Sequence, residues 1–169
     1  YDEYPMLPAG IDPQICLSRN DRVQPFFLIC EQDTVLVNMS GEGRVEFPVG
    51  PVRYETVEPG DFVYVPSGTP HRIVPDGECV QMRYKAENPG LEAVAWYCEG
   101  CGKEVSRDVW DTAAEIPQEG YFRACREFND DVSRRTCPTC DTEHAPIDLS
   151  PYRWDSVATE IREDMAGEN

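Results

Sequence analysis

The sequence predicts an all-β fold, a β-sandwich or small barrel, followed by a small metal-binding ribbon. Three observations predict it. From about residue 26 to residue 85, short β-rich runs alternate with turn signals, and no helical period of useful length appears. Within that region "EPGDFVYVPSGTPH" makes a tight turn, a strand and a second turn that delivers His71 to the start of the next strand. Beyond residue 90 two CxxC pairs appear, Cys98 with Cys101 and Cys137 with Cys140.

Taken in order, "FFLIC", "TVLVNMS", "GRVEFPV", "VRYETV", "DFVYVP", "HRIVP" and "CVQMRY" carry the β-branched and aromatic residues that fit a pleated, half-buried surface. "GEG", "VGP", "EPGD" and "PSGTP" break them, glycine by allowing positive φ and proline by fixing φ and removing a donor. At "AENPG", residues 86–90, the pattern changes. We therefore expect a barrel with an N-terminal arm over 1–90, a cysteine-bearing segment packed on it over 91–155, and a tail over 156–169. An acidic, weakly helical stretch separates the cysteine pairs, and "SVATEIREDMAGEN" suits a short surface helix.

Composition narrows the function. With 15 Lys and Arg against 32 Asp and Glu, the net charge of −17 disfavours nucleic acid and anionic membranes, whose phosphates need clustered cations. No apolar run approaches the roughly 20 residues that span a bilayer, and the N-terminus lacks signal-peptide features, so a soluble, cytoplasmic protein is expected. Of the eight cysteines, Cys16, Cys30, Cys79 and Cys125 are scattered and read as buried free thiols.

The paired CxxC spacing is the strongest signal. Each CxxC turn can aim two thiolates at one ion, and two turns close a tetrahedral S₄ site with no position left for substrate. Structural zinc is the expected occupant, with rubredoxin-type iron or a redox dithiol as alternatives. His144 reads as a neighbour of the site.

Together "PFFLICEQDTVLVNM", "VEPGDFVYVPSGTPHRI", "GLEAVAWYCEGCGKEV" and "RTCPTCDTEHAPIDLSPYRW" resemble the bacterial 3-hydroxyanthranilate 3,4-dioxygenases over roughly residues 10–155. The resemblance implies a cupin barrel with a rubredoxin-like tail. It also implies one ferrous ion held by two histidines and a glutamate, with open positions for O₂ and substrate. His71 falls on the second motif's histidine. In the first motif the histidine, asparagine and glutamate positions fall on Arg19, Asp21 and Pro25, and the acidic substrate contact of a late strand falls on Arg83. The arginines that hold the substrate carboxylate have no clear counterpart, although Arg72 lies near one of them.

Pro25 offers no ligand atom and a guanidinium has no lone pair to donate. His71 and His144 are the only histidines, so the expected iron site cannot be assembled. Mixed ligation by Asp21 and His71, helped by Gln24, Cys30 or Glu31, is the remaining barrel-metal alternative. We expect Arg19 to occupy the vacated volume and, with Arg83, to turn the pocket toward anions.

Three functions follow as expectations. The favoured one is a homodimeric enzyme on a small carboxylate-bearing metabolite, with His71 as acid or base and Arg19, Asp21, Arg83 and Arg72 binding substrate. The others are a non-catalytic protein that binds a metabolite or partner, and a dioxygenase with unusual ligands.

Overall fold

Strands from both sides of residue 90 build two antiparallel sheets. The computed structural model describes residues 1–167. Its larger sheet contains β1 (Tyr4–Pro5), β2 (Gln14–Asn20), β7 (Arg72–Lys85), β4 (Thr34–Glu46) and β5 (Tyr54–Val57) in that spatial order, with β6 (Phe62–Val65) on the first half of β4. The smaller sheet is β3 (Phe27–Cys30), β8 (Leu91–Tyr97) and β9 (Glu104–Asp111). A bridge between Leu28 and His71 joins the two sheets.

Two pairs of expected strands are each one long strand: "TVLVNMS" and "GRVEFPV" run through β4, and "HRIVP" and "CVQMRY" through β7. The turn signal between each pair becomes an irregular register between Asn38 and Glu42 rather than a chain reversal.

The expected boundary at residue 90 does not divide the sheets. β8 pairs with β3 along Phe27–Ala95 to Cys30–Glu92, so the barrel draws strands from both sides of that boundary. The stretch between the cysteine pairs is more ordered than its weak helical signal suggests. It forms β9, then α1 (Pro117–Asp130) and the single turn α2 (Val132–Arg135). α3 (Trp154–Gly167) matches the expected tail helix, whose last residues, 168 and 169, lie outside the described part.

α1 closes one end of the barrel. Phe128 stacks on Trp96 with centroids 4.3 Å apart, and Tyr1, Phe26, Tyr121 and Trp154 form a cluster of rings beneath α1 and α3. Gly120 permits the approach, because a Cβ there would stand 2.4 Å from the Trp110 ring. The N-terminal arm enters this end. Trp154 Nε1 donates to the Tyr1 carbonyl at 2.7 Å and the Gln118 amide donates to the Glu3 carbonyl. Cys16, Cys30, Cys79 and Cys125 are buried free thiols. Among the described residues no helix is long and apolar enough to cross a membrane.

Candidate functional site

Alternation along β7 and β4 decides what faces the barrel axis. Gln81, Arg83 and Lys85 point inward from β7, as do Thr34, Leu36 and Asn38 from β4, and each is nearly inaccessible. His71 is brought to the same centre by the turn before it, in which Gly68 takes a φ of +73° and its N–H reaches the Cys30 carbonyl at 2.8 Å. The His71 backbone exchanges hydrogen bonds with Leu28 at 2.8 and 3.0 Å, which fixes the ring's position.

The His71 ring is fully engaged. Arg83 Nη1 lies 2.8 Å from His71 Nε2 and 3.0 Å from Thr34 Oγ1. Because guanidinium only donates, Nε2 accepts, so the ring proton sits on Nδ1 and is donated to the Thr69 carbonyl at 2.9 Å. Burial and the adjacent Arg83 charge push the His71 pKa down to about 3, against the pull of the Thr69 bond. The imidazole is neutral at pH 7.

Behind Arg83 lies a buried ionic chain. Glu3 Oε2 is 3.5 Å from Arg83 Nε and Glu3 Oε1 is 2.6 Å from Lys85 Nζ, which in turn is 2.5 Å from Glu92 Oε1. The Tyr1 hydroxyl donates to Glu3 as well. Burial alone would raise the Glu3 carboxyl, but Lys85 and Arg83 outweigh it and hold the pKa at about 2. Glu92, chiefly through burial, is shifted upward.

The barrel centre does not fit the iron that the family resemblance implies. The one ring nitrogen that could ligate a metal faces a guanidinium, which repels a dication and takes the lone pair. Pro25 presents only its carbonyl, and that accepts from Trp96 Nε1 at 3.0 Å.

Several expected site residues lie elsewhere. Arg19 is exposed and pairs with Glu78 at 3.6 Å, because on β2 it is Cys16, Ser18 and Asn20 that turn inward. Asp21 is exposed too, bound to its neighbour Arg22 at 2.8 Å. Arg72 lies on the outer face, with Nε donating to Glu46 at 2.8 Å. Arg83 alone of the expected arginines reaches His71. Gln24 is buried in backbone contact, its Oε1 accepting from Ile73 N at 3.0 Å, while the exposed Glu31 Oε2 accepts from Leu91 N at 2.6 Å. Cys30 is a buried thiol whose pKa is pushed up to about 12 by burial, unsuited to ligate a metal as thiolate.

Glu3, Lys85, Glu92 and Thr34 were not anticipated. The Lys85 signal was present, since it follows Arg83 by two residues on the same strand face. Nothing local marks Glu3.

The cysteine site matches expectation. The four sulfurs of Cys98, Cys101, Cys137 and Cys140 lie within 4.8 Å of one another, with Cys98–Cys140 and Cys101–Cys137 each at 3.6 Å. Tetrahedral ligation at ~2.3 Å requires sulfurs ~3.8 Å apart, so the donor set fits one ion. The two knuckles repeat one construction: Gly102 N bonds the Cys98 carbonyl and Asp141 N the Cys137 carbonyl, each residue at positive φ. His144 is not part of the cluster.

No family model matches the chain. A curated relative, 3-hydroxyanthranilate 3,4-dioxygenase 1 of Aspergillus clavatus, is 29% identical over 90 residues covering 51% of this chain and 45% of the relative, so the chain spans less than half of that protein. Among solved structures, a cupin-2 domain protein of Shewanella frigidimarina aligns with TM-score 0.44 and 19% identity, covering 51% of this chain and 80% of that one. The hydroquinone 1,2-dioxygenase of Sphingomonas sp. TTNP3, solved with 4-hydroxybenzoate bound, aligns with TM-score 0.43 and 13% identity, covering 50% and 64%.

Proposed function

We propose that this chain, a divergent cupin resembling the 3-hydroxyanthranilate 3,4-dioxygenases, is a zinc-braced binding protein whose barrel centre no longer performs ring-opening chemistry. One observation carries the proposal: Arg83 Nη1 sits 2.8 Å from His71 Nε2, where a barrel metal would have to bind. The sequence favoured an altered enzyme on the premise that Arg19, Asp21 and His71 share a pocket. With Arg19 and Asp21 on the surface and His71 neutral and sealed, that premise is gone.

Elemental analysis after anaerobic exposure to ferrous ion tests this. The expected result is one zinc per chain, no stoichiometric iron and no O₂ uptake with 3-hydroxyanthranilate. A second metal lost on His71→Ala would restore the dioxygenase reading.

The partner we propose is a second copy of the chain, meeting it through the outer face of the larger sheet. Strand register lines up two apolar rows there: Leu17, Met82, Val37 and Phe62, and beside it Ile15, Tyr84, Val35 and Tyr64. Phe62 is 70% exposed and Tyr64 54%. Four strands ~4.8 Å apart give these rows an area on the order of 400 Å². Neither row holds a charge, in a chain of net charge −17, so this is a face that two like-charged copies can bring together. An interface of that size is at the low end for specific association, so the dimer should dissociate on dilution. Sedimentation at several concentrations should show a reversible dimer, and Phe62→Asp should leave a folded monomer throughout. An unaltered dimer in that variant would place the interface elsewhere.

A further inference from the structure

We propose that a cleft outside the barrel, at its seam with the first cysteine knuckle, binds a small anion: a carboxylate or phosphate carried on an aromatic ring. The cleft has a volume of about 310 Å³, room for a single substituted ring. It is separate from the barrel centre. Arg72 lies on the outer face, while its neighbour His71 points in.

One wall is aromatic. Phe27, Phe47, Tyr54 and Tyr97 converge from four different segments, with Phe27 and Tyr97 edge to face at 5.3 Å. Phe27 is buried beneath Arg72, so a ligand ring packs against Phe47, Tyr54 and Tyr97 in offset or edge contact.

The other wall is cationic. The Arg72 guanidinium lies 4.5 Å over the Phe27 ring, which holds its plane in place, and only one of its five donors is engaged, Nε on Glu46. Arg53 also lines the cleft, and its guanidinium makes no hydrogen bond or ion pair among the described residues. Glu46 is shared between two guanidiniums, since its other oxygen accepts Arg44 Nε and Nη2 at 2.9 and 2.8 Å. With Glu99, the cleft's remaining carboxylate, the lining carries two guanidiniums, Arg53 and Arg72, and two acids, one of them shared with Arg44. A locally balanced charge with free guanidinium donors beside aromatic rings stands out on a chain of net charge −17. The chemistry it recognises is a pair of anionic oxygens for the guanidinium forks and a ring for the aromatic wall.

Titration calorimetry with the zinc-loaded chain tests this, using benzoate and phenyl phosphate as probes and amide chemical shifts to locate the site. Both probes should bind. Acetate, inorganic phosphate and benzyl alcohol should bind at least tenfold more weakly, since each lacks the ring or the charge. Preference between benzoate and phenyl phosphate identifies which anion the site takes. Arg53→Gln, a surface change that leaves folding alone, and Arg72→Gln should each weaken the better probe tenfold or more. Arg162→Gln, whose side chain pairs with Glu119 away from the cleft, should not. Absence of saturable binding below about 10 mM, an unchanged affinity in Arg53→Gln, or shifts centred on the barrel interior would overturn the proposal. Iron at the barrel centre would overturn the loss of ring-opening chemistry and leave this cleft untouched.

Discussion

Replacing Arg83 with leucine is expected to lower the unfolding free energy by about 3–5 kcal/mol, whereas Arg19→Ala should change it by less than about 0.5 kcal/mol. The contrast follows from burial. Arg83 lies among Glu3, Thr34 and His71 with 2% of its surface exposed, and its loss leaves Glu3 with one cation and the other two without a donor. Arg19 pairs with Glu78 in open solvent, where an ion pair contributes little. Chemical denaturation of the two variants, read at constant m value, makes the comparison. Equal effects would mean that Arg83 does not face the axis.

The same cluster sets an acid limit on stability. His71 has a folded pKa of about 3 against an ordinary 6.5, so below pH 6.5 the unfolded chain takes up a proton that the folded one refuses. Stability is therefore full above pH 6.5 and falls as pH drops toward 3, by about 2–3 kcal/mol over the first two units. Glu3, held at about 2 against 4.5, adds a second loss as pH falls from 4.5 to 2. Glu92, shifted upward, works the other way: the folded chain protonates it before the unfolded one as pH falls toward 4.5, which offsets part of the His71 loss and not the Glu3 one. His71→Asn should remove the loss between pH 6.5 and 4.5 while keeping the one below.

Stripping the metal from the cysteine site should have the second large effect. Structural zinc binding supplies about 10–16 kcal/mol in isolated finger peptides, but here β8 and β9 are held by their own ladder, so the expected loss is confined to the knuckles and their packing. A fall in Tm on the order of 10–20 °C is expected after chelation, reversed by zinc. Cys137 is fully buried and Cys101 exposed, so Cys137→Ser should be the more damaging of the two. Cobalt substitution should give the absorption of a tetrahedral thiolate site. A metal-free chain with an unchanged Tm would show that the cysteines brace nothing.

The barrel strands were legible because period-two alternation and turn residues are local signals. So was the cysteine site, whose two knuckles are each written within five residues. What failed was the assignment of faces in "SRNDRVQPFF". The family resemblance placed Arg19 at a ligand position, but alternation along β2 turns Ser18 and Asn20 inward instead. A shift of one residue exchanges the two faces of a strand, and a loop between β2 and β3 erases the count. Glu3 was out of reach for a different reason: its role comes from Lys85, 82 residues away, and from α1 above it. The outward turn of Arg72 was readable in principle, because its neighbour His71 was already assigned to the interior.

The arm that enters the barrel also governs the order of folding. Glu3 meets Lys85 across 82 residues, Gln118 meets the Glu3 backbone across 115, and Trp154 meets the Tyr1 carbonyl across 153. During synthesis β7 therefore emerges carrying two cations destined for the interior, long before Trp154 arrives to hold their counter-charge in place. A half-made barrel would have to enclose Arg83 with the arm untethered and Lys85 with Glu92 as its one counter-charge, an unfavourable state. Folding is thus deferred until α3 has been made, and nascent chains stalled short of α3 should be open to proteases.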